Sequence, residues 1–240
     1  MANWVKTLAE ATVGDEVRIE DFEGFGDGAV CFERAVEFRH LERGLEREGR
    51  ERVYDMMRCR ARDYCGVKVN GESGGEIRVT LLLRVGGRAF KNESAVIGVF
   101  ERECGKVDGC GMKVRLLSET DILVSSHGAQ MTNMIFMNKN SSVMEFFPKG
   151  WLEHAGVGQY VFKWMASWSG MRHQGQWKDQ EGENCPYDNN SQCFNFYKDG
   201  KVGHDEAYFA TWMADVLDEV KELKRSAKQE IKESACHCPS

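Results

Sequence analysis

A histidine and a glycine follow a short apolar run in the middle of the chain, and these residue types at such a junction could bind an anion. The apolar run is Ile122-Leu123-Val124, and His127-Gly128 follows after two serines. A glycine allows the backbone to approach a ligand closely or to adopt positive φ. If a helix begins after Gly128, the free amides of residues 129–132 carry partial positive charge, and a diphosphate is the usual guest of such a helix start.

The same pair of residues also has a purely structural interpretation. In that interpretation Gly128 only closes a tight turn, and His127 is a core residue whose ring nitrogens are satisfied by neighbouring groups. Glycines in turns and buried histidines with local partners are both common. The two residues by themselves favour neither alternative.

Two arginines beyond another apolar run are further candidate ligands for an anion. The run at residues 77–83 ends at Arg84, and Arg88 follows two glycines later. Asn92 can cap the next predicted helix, which spans Ser94 to Glu101. Two arginines just past the carboxyl end of a strand could clamp a phosphate with bidentate hydrogen bonds. The alternative is that they pair with surface carboxylates, as arginines more often do.

The elements that must position these residues are predicted to form a strand–helix–strand unit. Residues 122–124 and 143–147 are short apolar runs that are bounded by turn residues and separated by a helix-length segment, which indicates buried strands in a βαβ unit. The run at residues 77–83 suits another buried parallel strand. Ligands of such folds bind where carboxyl ends of strands meet helix amino ends. The expected fold class is therefore α/β with a parallel Rossmann-type sheet and flanking helices.

The remaining sequence predicts helices, one further strand and polar connecting segments. Residues 67–75 are rich in Gly and Ser and are the best candidate for a linker. The charged residues of the 38–64 segment indicate a solvated helix face and not a binding patch. The other predicted elements are a strand at 30–32, helices at 38–64, 159–168 and 205–224, a long loop at 172–203 and a charged, frayed tail from 226.

Charge and hydropathy exclude several classes of protein. The chain has 240 residues and a formal net charge of −6, which argues against non-specific binding to nucleic acid or to anionic membranes. No apolar run approaches the roughly 18 residues that a membrane-spanning helix needs. The first residues also lack the apolar core of a signal peptide. The sequence therefore predicts neither a membrane anchor nor a targeting signal within this chain.

Nine cysteines suggest local disulfides in an oxidising compartment. Three neighbouring pairs lie in or beside Gly- or Asn-rich stretches, and the odd count leaves at least one thiol unpaired. Sequons begin at Asn92, Asn140 and Asn189 and would be usable only in a secretory compartment. Zinc is the rival interpretation, but no CxxC is matched by a second CxxC or an HxxxH, so no metal site is predicted. The candidate pairs are Cys59/Cys65, Cys104/Cys110 and Cys185/Cys193.

Two stretches resemble a known family of enzymes. The segment DILVSSHGAQMTNMIFMNKNSSVMEFFP, residues 121–148, resembles the signature of glycosyltransferase family 61, which typically has a strand, HGAG(L)TN, a helix, and a strand that ends in E-x-x-P. The upstream LLLRVGGRAFKNESAVIGVFE, residues 81–101, is similar to the strand, the arginines and the Asn-Glu of the same family. Val30-Cys31-Phe32 resembles its V-C-F strand. The resemblance covers roughly residues 28–225.

The resemblance implies a GT-B architecture, in which two Rossmann-like halves hold a nucleotide-sugar, usually linked to UDP, in their cleft. It implies an inverting, largely metal-independent transferase without a cofactor, acting on glycoproteins or on plant cell-wall xylans in the Golgi or endoplasmic reticulum. Arg84, Arg88 and His127 would meet the diphosphate, and Glu145 would accept hydrogen bonds from the ribose. The full set of donor-binding residues implied is Arg84, Arg88, Asn92, His127, Gly128, Ala129, Gln130, Thr132, Asn133 and Glu145.

The chain departs from the family pattern in three respects. Gln130 stands where the family usually has glycine, and the segment between Asn92 and His127 is short. The acceptor-side lobe is also much reduced, since it would comprise residues 1–75, followed by a nucleotide-sugar lobe at 76–225 and a tail at 226–240. That lobe commonly supplies the general base of inverting enzymes. Here the base is unassigned, and the polar candidates at 172–203 are His173, Asp179 and Glu181.

Two functions of different kinds follow from these residues. The first is an inverting glycosyltransferase that takes a UDP-sugar donor and a glycan or glycoprotein acceptor. The second is a non-catalytic nucleotide-sugar-binding remnant or partner subunit. A secreted structural protein rich in cysteine is a third possibility, but it does not explain the His-Gly junction and its flanking strands.

Overall fold

A computed structural model of the chain describes residues 6, 9, 10, 16–18, 31, 33, 46–64, 76–112 and 117–230. The chain divides into two compact units, one drawn mainly from residues 1–67 and the other from residues 68–237. In the first unit the structure describes helix α1, Arg47–Tyr64, which carries an ion pair between Arg47 and Glu51. The predicted strand at 30–32, apart from Cys31, and the predicted linker at 67–75 lie outside the described residues.

The second unit is built on a five-stranded sheet in which every pair of neighbours is parallel. The strands are β1 (Ile77–Leu82), β2 (Cys110–Met112), β3 (Ile122–Ser126), β4 (Ser142–Phe147) and β5 (Arg172–Lys178), in the spatial order β2-β1-β3-β4-β5. The helices are α2 (Glu93–Gly105), α3 (Trp151–His154), α4 (Val161–Trp168), α5 (Asn190–Asp199) and α6 (Glu206–Glu230). The predicted α/β class with a parallel Rossmann-type sheet is confirmed.

The central strands β3 and β4 are buried along their whole length, which explains why both read as apolar runs in the sequence. Alternate side chains point to opposite faces of the sheet. On one face Phe146 packs with Phe100 of α2 and with Phe209 of α6. On the other face Val143 packs with Met131 and with Phe162 of α4. Helices therefore cover the sheet on both sides.

The helix-like segment between β3 and β4 is a 3₁₀ helix, Ala129–Phe136, and not an α-helix. Two of its polar side chains bond to backbone carbonyls three residues earlier. Thr132 Oγ1 donates to the carbonyl oxygen of Ala129 at 2.7 Å, and Asn133 Nδ2 donates to that of Gln130 at 3.1 Å. Such local bonds compete with the regular α-helical pattern.

The prediction of a long loop at 172–203 is wrong, because this segment contains β5 and α5. Strand β5 is an edge strand with the polar sequence RHQGQWK, so it lacks the apolar signal of a buried strand. The side chain of Asn189 caps α5 by accepting hydrogen bonds from the amides of Ser191 and Gln192. The predicted helix at 205–224 is confirmed as α6 and continues to Glu230. Residues 231–240 of the predicted tail lie outside the described residues.

Two of the three predicted disulfides are present. Cys104 is bonded to Cys110, and Cys185 is bonded to Cys193, with Cα atoms 5.3 and 5.4 Å apart. The third predicted pair includes Cys65, which lies outside the described residues. Within the part of the chain that the structure describes, the helices are too short or too polar to cross a membrane.

Candidate anion-binding site

The parallel sheet brings Arg84 and His127 to the same edge. Arg84 lies two residues past the end of β1, and His127 directly follows β3. Arg84 Nη1 donates to the carbonyl oxygen of His127 and to Oε1 of Gln130, both at 3.3 Å. The two segments are far apart in sequence, so this proximity depends on the pairing of β1 with β3.

Gly128 is required here because of crowding, and not because of a left-handed backbone. Its φ of 163° and ψ of 168° are extended values that any residue can adopt. A Cβ at this position would collide with Arg84 Nη1 and with Gln130 Oε1. Both atoms are the far ends of flexible side chains. A side chain at Gly128 would therefore displace the Arg84 guanidinium more than it would disturb the backbone.

Gln130, which replaces the glycine usual at this position of the resembled motif, holds Arg84 in place. Its Nε2 donates to the carbonyl oxygen of Ser126 at 2.9 Å, while its Oε1 accepts from Arg84. The amide thus connects the end of β3 to the guanidinium.

Arg84 and Arg88 form a pair of partly buried positive charges. Burial lowers the pKa of Arg84. The pKa of Arg88 is lowered by burial and by the charge of Arg84, and Asp199 opposes this shift. Among the described residues neither guanidinium has a carboxylate within ion-pair distance, and both Nε atoms are buried without a hydrogen-bond partner. The alternative of pairing with surface carboxylates is therefore not realised in this part of the chain.

Arg88 is held in a strained backbone conformation. Its φ is 61°, in the left-handed region that favours glycine. Its amide donates to the carbonyl oxygen of Gly200 at 2.7 Å, and its guanidinium lies 5.0 Å from the centre of the Trp151 ring. Strain of this kind persists where surrounding contacts enforce it, and it is concentrated at functional sites.

We expect the backbone strain at Arg88 to be separable from its charge. Arg88→Ala and Arg88→Gly both remove the guanidinium and its contact with Trp151, but only glycine accepts a φ of 61° freely. The glycine variant should therefore be more stable than the alanine variant by about 1 kcal/mol. Urea unfolding of the two variants measures this difference. If the alanine variant is equally or more stable, Arg88 does not carry the strain described.

A fully buried carboxylate joins two histidines beside the arginines. Glu145 on β4 is 0% exposed. His127 Nδ1 lies 2.6 Å from Glu145 Oε1, and His173 Nε2 lies 2.8 Å from Oε2. The amide of Gly175 donates to His173 Nδ1 at 3.3 Å, so the Nε2 of His173 carries the proton that Glu145 accepts. Because the Glu145 carboxylate can only accept, His127 donates to it from Nδ1, and the Nε2 of His127 is left for another partner.

The environment of Glu145 acts on its pKa in opposite directions. Burial raises the pKa of this carboxyl, whereas hydrogen bonds from His127 and His173 and the charges of both rings lower it. The net pKa is lowered, so the carboxylate form is favoured despite its burial. Around His127 the rings of Phe147, Phe162 and Trp151 lie with centroids 4.7, 5.1 and 5.6 Å away. The imidazole is thereby held on several sides.

The structure brings some of the predicted site residues together and leaves others apart. Arg84, His127, Gly128 and Gln130 are in direct contact or hydrogen bonded, and Arg88 lies close enough to Arg84 for their charges to interact. Asn92 instead caps α2, where its Oδ1 accepts from the amide of Ala95 at 3.0 Å. Ala129, Thr132 and Asn133 belong to the 3₁₀ helix, and the side chains of the latter two bond within it.

For Glu145 the geometry favours a positioning role. Both of its oxygens are bonded to histidines, so a ribose contact stays a prediction and would require one of these bonds to open. His173 lies on β5 and not in a loop. Asp179 is buried and accepts from Lys91 Nζ and from the amides of Glu181 and Gly203, which indicates a structural role.

Trp151 is a site residue that the sequence did not single out. It is 5% exposed and contacts both Arg88 and His127, and its Nε1 is buried without a hydrogen-bond partner in the described part of the chain. Its position directly after the Pro148-Lys149-Gly150 turn that follows β4 is a weak signal, because a turn does not specify which side chains the next residue contacts. Among the described residues no group of three or more His, Cys, Asp or Glu side chains is arranged to hold a metal ion.

Comparison with known proteins finds a similarity to one family. The model of the family Glycosyltransferase 61 matches residues 30–144, a span that contains Arg84, Arg88 and the His127-Gly128 junction. No curated protein matches the sequence. The matched span ends one residue before Glu145 and so does not include the buried carboxylate. Over residues 30–144, a little under half of its length, this chain is similar to glycosyltransferase family 61.

Proposed function

We propose that this chain transfers a sugar from a UDP-sugar to a glycan or glycoprotein acceptor with inversion at the anomeric carbon. The family supports glycosyltransferase activity in general. The observation that carries the finer proposal is the pair of partly buried arginines, Arg84 and Arg88. Among the described residues neither has a carboxylate within ion-pair distance, and Asp199 acts on Arg88 only from farther away. A diphosphate is the ligand whose charge and oxygen geometry match two adjacent guanidinium groups.

Each residue of the site has a specific part in this proposal. The two guanidinium groups donate to phosphate oxygens, and Gly128 leaves room for Arg84 beside the end of β3. The Nε2 of His127 donates a further hydrogen bond to the diphosphate, while Glu145 fixes the ring by bonding to Nδ1. Arginines that offset the charge of the leaving UDP make transfer without a metal ion physically reasonable. Preorganised donors of this kind stabilise the charge that develops as the bond to the sugar breaks.

A non-catalytic UDP-sugar-binding role is the second candidate, and one observation favours it. Glu145 is the buried carboxylate nearest His127, and both of its oxygens are bonded to histidines. It is therefore not positioned to deprotonate an acceptor hydroxyl. No other residue is assigned as the general base.

We also propose a Golgi or endoplasmic reticulum location. Disulfides persist in oxidising compartments, and two local disulfides lie in the described residues. The similarity to glycosyltransferase family 61 also suggests that the protein lies in the secretory pathway. Fractionation of cells that express the protein tests this proposal.

Calorimetric titration with UDP, followed by assays with UDP-sugars, tests the proposed function. We expect UDP to bind with millimolar or tighter affinity, and we expect UDP-sugar hydrolysis or transfer to continue in the presence of EDTA. Clear UDP binding without hydrolysis or transfer would favour the non-catalytic role. The absence of UDP binding at millimolar concentration would overturn both candidates.

A further inference from the structure

The indole N–H of Trp151 is a buried hydrogen-bond donor without a partner in the described part of the chain. Trp151 is 5% exposed, and its Nε1 has no hydrogen-bond partner among the described groups. An indole N–H can only donate, and a buried tryptophan usually finds an acceptor, because an unpaired buried donor destabilises the fold. The fold thus keeps a donor whose acceptor the described residues do not supply.

Two more unpaired buried donors lie beside this one. In the ranges 76–112 and 117–230, the buried side-chain nitrogens without a hydrogen-bond partner are Arg84 Nε, Arg88 Nε and Trp151 Nε1. The Arg88 guanidinium lies 5.0 Å from the centre of the Trp151 ring, and Arg84 is close enough to Arg88 for their charges to interact. The ring centroids of His127 and Trp151 are 5.6 Å apart. A ligand that fits this cluster has to supply hydrogen-bond acceptors.

Contacts from α5 hold the Trp151 ring in place. The ring of Phe194 packs against it with centroids 4.9 Å apart. The preceding Gly150 has a φ of 70°, and a Cβ there would overlap with the ring of Tyr197. The hydroxyl of Tyr197 in turn accepts from the amide of Cys185 at 3.0 Å. The indole is therefore positioned by its surroundings before any ligand binds, which lowers the entropy that binding costs.

We propose that Trp151 binds the ligand directly, by donating its Nε1–H to an oxygen of the diphosphate held by Arg88 and His127. The identity of this ligand rests on the proposed function. An anionic oxygen is the acceptor that fits, because a hydrogen bond to a charged group is stronger than one between neutral groups and gains further strength in a buried site. Trp151 adds a donor without adding charge, so it fixes the position of the diphosphate beside the arginines.

A purely structural role for Trp151 predicts a different result. Trp151→Phe keeps an aromatic ring beside Phe194 and Arg88 but has no N–H. If Trp151 only packs, this variant changes stability and binds UDP like the wild type. Trp212→Phe is the matched control, because it removes the same atoms from an indole whose Nε1 already donates to the carbonyl oxygen of Gln174 at 3.0 Å.

Calorimetric titration of the wild type and both variants with UDP and with inorganic pyrophosphate tests the contact. We expect Trp151→Phe to weaken the binding of both ligands by about tenfold, since the lost hydrogen bond has a charged acceptor. Trp212→Phe should bind both ligands with wild-type affinity. The use of pyrophosphate separates a contact with the diphosphate from a contact with the nucleoside.

The N–H resonance of Trp151 tests the same contact in the unmodified protein, so the test does not depend on the folding of a variant. The chain has six tryptophans, and their indole N–H signals are separately observable in a ¹H–¹⁵N correlation spectrum. Saturating UDP or pyrophosphate should move the assigned Trp151 Nε1–H proton downfield, as a new hydrogen bond to an anionic oxygen does. The Trp212 signal should stay in place.

Three outcomes would overturn the Trp151 contact. These are equal UDP affinity in the wild type and Trp151→Phe, a Trp151 signal that does not move when ligand binds, or a loss of affinity for UDP without any loss for pyrophosphate. The proposed function fails separately. A wild type that binds pyrophosphate through Trp151 but does not bind UDP would preserve the contact and overturn the UDP-sugar proposal, and a wild type that binds neither ligand would overturn both.

Discussion

Removal of both guanidinium groups, in Arg84→Ala/Arg88→Ala, is expected to abolish measurable UDP binding. Each arginine is proposed to donate charged hydrogen bonds to the diphosphate, and one such bond contributes about 1.5–3 kcal/mol. A single substitution should therefore weaken binding by about tenfold to a hundredfold, because about 1.4 kcal/mol corresponds to a factor of ten. Calorimetric titration of UDP into the single and double variants measures the loss.

Two further variants make the arginine prediction specific. Arg84→Lys keeps the charge but not the fork of donors, so it should recover only part of the affinity. Arg102→Ala is the matched control, because Arg102 is exposed and paired with Glu206 on the surface. Full UDP affinity in the double variant would show that the diphosphate binds elsewhere. Equal losses of UDP affinity in Arg102→Ala and Arg84→Ala would show that UDP binding depends on the overall charge of the protein and not on this pair of arginines.

Replacement of the buried carboxylate, in Glu145→Gln, is expected to destabilise the fold by about 2–4 kcal/mol at neutral pH. The amide can accept a hydrogen bond from one histidine, but its NH₂ group then faces the N–H of the other. The variant thus loses a charged hydrogen bond and places two donors against each other in a buried site. Urea unfolding with the disulfides intact measures the difference in the free energy of unfolding.

The pH dependence of this difference follows from the lowered pKa of Glu145. A carboxyl whose folded pKa lies below its ordinary value of 4.5 stabilises the fold fully above that value. The contribution is lost as the pH falls through the lower, folded pKa. The gap between wild type and Glu145→Gln should therefore be widest near neutral pH and should narrow in acid below 4.5. If the difference in unfolding free energy between wild type and Glu145→Gln stays constant across this pH range, the pKa of Glu145 is not lowered in the folded protein.

An exposed carboxylate provides the control for the Glu145 experiment. Glu153 is exposed on α3, so Glu153→Gln should change stability by no more than about 0.5 kcal/mol. UDP titration of Glu145→Gln adds a functional readout, because a reoriented His127 should bind the diphosphate less well. If stability falls but UDP affinity is unchanged, Glu145 supports the fold without positioning His127 for the ligand.

The buried strands were predictable because burial leaves a local pattern. Strands β3 and β4 are covered on both faces, so every residue in them is buried and each reads as a short apolar run. Helix α6 has one buried face and shows the apolar stripe of an amphipathic helix. Two disulfides were predictable for a related reason, since each joins cysteines that are close in sequence. Arg84 and His127 were placed at one edge because both follow such strands.

The partners of these side chains were decided by tertiary structure alone. Strand β5 is a polar edge strand, and its register beside β4 brings His173 to Glu145 across 28 residues of sequence. The contact of Trp151 with Arg88 depends on the turn after β4. Neither contact leaves a periodic signal, because burial sets residue type along a strand, whereas sheet order and register determine which side chains meet. The sequence by itself thus determined the parallel core and the edge where an anion can bind, and the fold determined that Glu145 is enclosed by two histidines.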